Sequence, residues 1–463
     1  MRRFRAVTSA AAAIVLSLTL CGCVGKEPNE IAYIVALGID AIEDNNYEIT
    51  IQYANPTEIS GGEEGGKAGS SIIENISVQA PNIYAAVGLA NRIVSKTFYL
   101  SHAKIIVVSK EVAEKGLKDI TETFIRSDDL RPDIYLAVSL DGANKYLSSV
   151  QPAMEVNPAK YYQLIYDKNS FMGIPVGSSK DFFFGIETGD FDSFLPIAGV
   201  IGNGGNNEES SSDGGESSGG GTKEEGGLSG AGVLEEGSGE GAADGGDSSD
   251  ENSSEENSKQ KYAPENDRGF EYGMKDYIGG QAAIELKNKS ESMGCAVFSG
   301  DKMIGTIGSI ETQMFKLLMG DYNYSYITLL NEQTPDDPVT VKTTQGKLPE
   351  YDIDIENKTI NVELFLEGDV SSLPADYNIE NDIKGFEENA SKFIGEDCAK
   401  FMSDFIKTYD SDTFRLKERC KSKFLTNEEY DKFKESADFR DYSVNVKVNF
   451  KIRRTGLVMR EEK

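Results

Sequence analysis

Between Asn203 and Ser258 the chain is built almost wholly from Gly, Ser, Asn, Asp and Glu, with 15 acidic residues against a single lysine. A stretch with so few apolar side chains has nothing to bury that would offset the entropy of ordering its backbone, and its charges repel one another. It is expected to be a disordered acidic insert, so any core must be assembled from the two flanking pieces. With 463 residues, two or three domains are expected. The divisions that follow are a leader over 1–22, an N-terminal α/β domain over 23–202, the insert or linker over 203–275 and a C-terminal α+β domain over 276–463. No calcium-loop spacing of ligands occurs within the insert.

The start of the chain is the opposite in character. Arg2, Arg3 and Arg5 precede an apolar run from Ala6 to Leu20, the layout of a cleaved secretory signal. That run is shorter than the roughly 20 apolar residues of a membrane-spanning helix. Its exit, Leu20-Cys21-Gly22-Cys23, has the form of a bacterial lipobox. Cys23 fits the register, with an aliphatic residue three positions before it and a small residue directly before it; Cys21 would place the bulky Leu20 where the peptidase needs a small side chain. Cys23 is therefore the expected lipid attachment site. A thioether-linked diacylglycerol there supplies two acyl chains, of the palmitate class, at about 0.8 kcal/mol per buried methylene, enough for a stable anchor. The mature chain is expected outside the cytoplasm, tethered to a membrane by its first residue. The later apolar runs, such as Lys104–Ser109 and Ile134–Leu140, have the length of strands.

The formal charge of −30, from 77 acidic and 47 basic residues, disfavours nucleic acid as a partner. Once Cys21 is removed and Cys23 acylated, Cys295, Cys398 and Cys420 remain. Their wide spacing forms neither a disulfide framework nor a metal knuckle, and allows at most one bridge; buried free thiols are expected.

Periodicity outlines the elements. "IAYIVALGID" and "NYEITIQYA" flank Glu43 to Asn46 as a β-hairpin, and "IIENISVQA" follows a second Gly-rich loop. Asn82 to Lys96 and Lys110 to Arg126 have helical spacing, and the latter places Ile120 and Phe124 inward. The order suggests a sheet covered by helices. In the later half, "GCAVFSGDKMIGTIG" is read as two short strands joined by Ser299 to Lys302, with a helix over Glu311 to Met319 after it. Ile360, Val362, Leu364 and Leu366 alternate as a strand. From Ile379 to Tyr409 apolar residues recur at three and four as one long helix, with Cys398 on its apolar stripe. Val444 to Ile452 alternate with polar residues as a final strand with one wet face. The fold class is thus α+β and multidomain, with mixed or antiparallel sheets each covered by helices and a long helix in the C-terminal domain.

The search for chemistry finds no constellation. His102, the single histidine, stands at the entrance to a buried strand, and no nucleophile-elbow motif supplies it with a partner, so a structural role is favoured. One histidine and scattered cysteines form no zinc site. "GGEEGGK", Gly61 to Lys67, has P-loop spacing, but Ala68 replaces the magnesium-binding hydroxyl and two glutamates stand where phosphate must approach. The absence of tryptophan argues against a carbohydrate cleft. No catalytic residue, cofactor or metal ligand is assigned, and an anchored binding or scaffolding protein is expected rather than an enzyme.

Several segments together resemble one family. They are the lipobox, "ALGIDAIEDNNYEITIQYANP", the run from Ser95 to Leu140 containing "SHAKIIVVS" and "SDDLRPDIYLAVSL", "GCAVFSGDKMIGTIGSIETQMFKLLMG", "DSDTFRLKERCKSKF" and the terminal alternating strand. In order and spacing they resemble the Ger(x)C family, the C subunits of nutrient germinant receptors in spore-forming Firmicutes. This chain departs from the pattern in having Val24 where relatives often carry tryptophan, and in its long insert. The resemblance implies a lipoprotein on the outer face of the spore inner membrane, assembled with membrane A and B subunits, without a catalytic role. Only Cys23 carries over as a functional residue; for His102 the resemblance implies no mechanism. The alternative is an extracytoplasmic solute-binding lipoprotein of a transporter, which usually has two α/β lobes around a ligand cleft.

Overall fold

A computed structural model describes residues 30–43, 46–54, 73–152, 155, 157–166, 177–202, 274–282, 288–331, 334–374 and 377–456. The leader, Cys23, the Gly61–Lys67 loop and the acidic stretch from Asn203 to Ser258 lie outside the described residues.

In chain order the first part comprises β1 (Ile31–Ala41), β2 (Tyr47–Ala54), β3 (Ile73–Ala80), α1 (Ile83–Ala90), β4 (Thr97–Tyr99), β5 (Ile105–Ser109), α2 (Lys110–Lys115) and α3 (Lys118–Ile125). It continues with β6 (Tyr135–Ser139), α4 (Ala143–Ser149), α5 (Pro158–Ile165), α6 (Ser179–Thr188) and β7 (Phe194–Val200). The second part comprises β8 (Ser290–Ser299), β9 (Lys302–Ile307), α7 (Ser309–Met319), β10 (Tyr324–Asn331), β11 (Thr334–Asp354) and β12 (Thr359–Ser372). Last come α8 (Ile383–Thr408), α9 (Leu416–Cys420), α10 (Asn427–Ser436) and β13 (Ser443–Arg454).

Two mixed sheets result. The first runs β3-β2-β1-β5-β6-β7-β8-β9, with the short β4 also paired to β1. Its centre, β1-β5-β6-β7, is parallel, and both ends are antiparallel. Parallel strands covered on both faces need apolar side chains on both, which explains the unbroken Ile105–Ser109 run, buried at every position. Ile106, Val108, Leu136 and Val138 enter one core, and Ile105, Val107 and Ala137 the other. Strands β8 and β9 follow the acidic stretch in the chain yet extend this first sheet, through pairs such as Leu195 with Ala296.

The second sheet, β10-β11-β12-β13, is antiparallel except for its last pair. There β13 runs parallel to β12, because the chain crosses back through α8, α9 and α10 before reaching it. The third core lies between this sheet and α7 and α8, and takes in Cys295 and Val297 of β8.

The hairpin of β1 and β2 and the helix ending at Met319 agree with the periodicity. Three helices differ from it. The helix expected over Asn82 to Lys96 ends at Ala90, where the Asn91 side chain turns back to accept the Phe98 N–H at 2.8 Å. The single helix expected over Lys110 to Arg126 breaks at Gly116, whose φ of 123° lies outside the helical region, and the Leu117 N–H donates to the Asp301 carbonyl at 2.9 Å. The long helix begins only at Ile383, because the Asp382 side chain caps the Gly385 N–H at 3.0 Å after a short 3-10 turn over Ile379–Asn381.

Candidate functional site

The residues singled out as chemically interesting are not brought together. His102 ends a 3-10 turn over Leu100–His102, with its ring edge-on to Tyr33 at 4.6 Å and Nδ1 3.2 Å from the Ser101 hydroxyl. Burial, with Arg131 and Lys104 nearby, lowers its pKa and favours the neutral imidazole. Cys295, Cys398 and Cys420 are free and buried. Cys398 lies among the apolar residues of α8, as its place on the stripe predicts. Burial pushes the thiols of Cys295 and Cys398 far up, so neither is a reactive thiolate. Among the described residues no group of three or more His, Cys, Asp or Glu could hold a metal ion.

The polar groups that the structure does bring together come from distant parts of the chain, and they act on backbone. The turn after α6 carries Asp192, whose Oδ1 accepts the Gly300 N–H at 2.7 Å and whose Oδ2 accepts the Asp412 N–H at 2.7 Å. Asp412 in turn accepts the N–H groups of Leu416 and Lys417 at 2.7 and 2.9 Å, closing the first turn of α9. Burial pushes the Asp412 carboxyl up to about 7, against the pull of those donors, with the Asp192 charge adding to the rise. Around this node the Ser411 hydroxyl donates to the Phe298 carbonyl at 2.7 Å and Tyr409 to the Thr306 carbonyl at 3.0 Å. Lys434 of α10 reaches Asp190 at 2.8 Å. Arg415, in the left-handed region at φ 57°, stacks its guanidinium 3.8 Å over Phe191, and Arg419 stacks 3.7 Å over Tyr351. The segment "DSDTFRLKERC" is thus a clasp that fastens the end of α8 to the β8–β9 hairpin and the turn before β7.

A second carboxylate pair sits at the start of α7. Gly308, at the N-cap, has no side chain to offer, and Asp276 substitutes for one by accepting the Ile310 N–H at 2.6 Å and the Ser309 hydroxyl at 3.3 Å. Glu311 accepts the Gly308 N–H at 3.4 Å. Burial, then the neighbouring Asp276, push the Glu311 carboxyl up to about 7. The pair borders a cavity of about 130 Å³ between α7 and α8, walled by Ile307, Met314, Phe401 and Phe405.

On the other face of the first sheet Tyr146, Tyr162 and Tyr166 are fully buried. Tyr162 donates to Gln52, itself fully buried in β2, and the Gln52 amide donates to the Leu147 carbonyl at 2.8 Å. Sequence reasoning did not find Gln52, Asp192, Asp276 or Asp412. For Asp412 a signal existed, an Asp ahead of a short helical run; for the others the partner lies too far along the chain to be read.

This architecture can be set against known proteins. Residues 25–200 match the family model described as spore germination protein N-terminal domain, and residues 293–456 match that described as spore germination B3/GerAC like, C-terminal. The chain belongs to the Ger(x)C family. A 117-residue stretch is 34% identical to spore germination protein KC of Bacillus subtilis (strain 168), covering 25% of this chain and 29% of that protein. The chain therefore aligns with less than a third of that relative's length. A solved structure titled as that of the GerBC protein is 13% identical, with a TM-score of 0.47 over 90% of this chain and 96% of that one. The clasp segment falls within the C-terminal match, as do the strands and long helix of the second sheet in this Ger(x)C chain.

Proposed function

We propose that this Ger(x)C protein is the C subunit of a spore nutrient germinant receptor, a non-catalytic interaction subunit held on the outer face of the spore inner membrane by lipid on Cys23 and assembled with membrane A and B subunits. The observation that carries this reading is the pair of spore germination family matches, over residues 25–200 and 293–456, on either side of the acidic stretch. The lipobox around Cys23 supplies the anchor, and among the described residues no helix is long and apolar enough to cross a membrane. The use of the buried carboxylates in capping backbone fits a scaffolding role.

Immunoblots of membranes from growing cells and dormant spores, with and without Cys23→Ala, test the reading together with nutrient germination assays. Expected is a protein confined to the spore inner membrane, lost from it in the variant together with most of the nutrient response. Unchanged retention and unchanged germination would overturn the anchor, and abundance in growing-cell membranes would overturn the receptor assignment.

A further inference from the structure

The start of β1 fixes where the tether leaves the fold. Glu30 is seven residues from Cys23, a span of at most about 25 Å. Strand β4 pairs in parallel with the first residues of β1, Ile31 with Thr97 and Tyr33 with Tyr99. The turn from α1 into β4, residues 91–96, is therefore at the end of the sheet from which the tether emerges.

This turn presents apolar side chains to solvent. Ile93 is 73% exposed and Leu89, one helical turn before it, 39% exposed. Helix α1 buries Ile83, Ala86, Val87 and Ala90 against the sheet, so Leu89 is an apolar residue left over on its outer side, and Ile93 follows in the turn. Two cations, Arg92 and Lys96, flank Ile93, while Lys104 and Arg131 stand at the starts of β5 and β6, at the same strand ends. Glu30, Asp133 and Glu74, which stands opposite Tyr53 at the start of β3, are acids at the same end. The turn is held in shape by Asn91, bonded to the Phe98 N–H at 2.8 Å, and by the Val94 N–H donating to the Ala90 carbonyl at 3.1 Å.

We propose that the α1–β4 turn is a membrane-docking tip, in which Ile93 and Leu89 enter the headgroup layer of an anionic bilayer and Arg92 and Lys96 meet its phosphates, so that the anchored protein stands in a fixed orientation. Exposed apolar residues bordered by cations are what an interfacial contact requires, and the short tether leaves this end little freedom to move away from the lipid. The inference rests on the lipid anchor of the proposed function.

The lipidated full-length chain, labelled with an environment-sensitive fluorophore at Ile93→Cys, is reconstituted on phosphatidylglycerol-rich vesicles that carry a headgroup-level quencher lipid; the native thiols are buried and do not compete. Glu43→Cys, at the far end of the 11-residue β1, is the reference position, about 36 Å away along the strand. The expected result is a blue shift and strong quenching at position 93 with none at 43. Combining Arg92→Glu and Lys96→Glu should reduce the quenching by about threefold or more, as should phosphatidylcholine vesicles. Equal quenching at the two positions, or none at 93 while mass spectrometry shows the diacylglycerol on Cys23, overturns the docking tip and leaves the anchor standing. A label at 93 that is shielded only when other membrane proteins are reconstituted with the chain overturns lipid as the occupant. An unmodified Cys23 overturns the anchor and the orientation together.

Discussion

The carboxylate of Asp192 accepts the backbone N–H of Asp412 at 2.7 Å across 220 positions of sequence, and the Asp412 carboxylate in turn caps α9. A partly buried N–H, that of Asp412, and an exposed one, that of Gly300, thus depend on one side chain. Asp192→Ala leaves both without their acceptor and is expected to cost about 2 kcal/mol or more in urea unfolding, while Asp192→Asn retains part of that. A loss below about 0.5 kcal/mol would mean that water replaces the carboxylate and that the clasp contributes little.

A glycine in β7 marks a second long-range contact. A Cβ at Gly199 would stand 2.0 Å from the Gly279 carbonyl carbon and 2.1 Å from the Gly280 nitrogen, both backbone atoms. The segment that follows the acidic stretch therefore lies directly on β7, where no side chain fits. Gly199→Ala is expected to destabilise the fold by about 3 kcal/mol or more, because backbone rather than a rotamer must move. Gly202→Ala, with open space around its Cβ but φ at 89°, is the milder comparison.

The pH dependence of stability has a defined sign at Glu311. Its carboxyl, near 7 in the fold against an ordinary value of 4.5, keeps a proton that the unfolded chain has already released. Its contribution to stability is therefore greatest below about pH 4.5, falls as pH rises to about 7 and is level above that. Glu311→Gln, which removes the charge but can still accept from Gly308, is expected to stabilise the protein by about 1–3 kcal/mol at pH 8 and to change little at pH 4.5. Thermal melts at the two pH values check this; an equal effect at both would mean that packing, not ionisation, sets the difference.

The three buried cysteines predict a simple thiol titration. In the mature chain Cys295, Cys398 and Cys420 should resist a thiol reagent while folded and react in full in guanidinium without prior reduction, since burial raises all three thiols. Fast reaction of one thiol in the native protein would show that its part of the core opens locally.

Legibility followed the range of the interaction. The β1–β2 hairpin, the alternation of Ile360, Val362, Leu364 and Leu366 and the stripe through Cys398 repeat within a few residues, so the sequence alone determined strand, helix and inward face. The family segments are local in the same sense, being strings of adjacent residue types. What tertiary structure decided was everything that joins distant strings. The break at Gly116 coincides with a Leu117 bond to Asp301, and the capping of α7 relies on an aspartate more than 30 positions earlier. That β8 and β9 complete the first sheet while β13 closes the second beside β12 is likewise a tertiary result. Alternation states only that a strand has a buried face. Which neighbour it pairs with depends on backbone hydrogen bonds that every residue type offers alike, and so leaves no mark in the order of side chains.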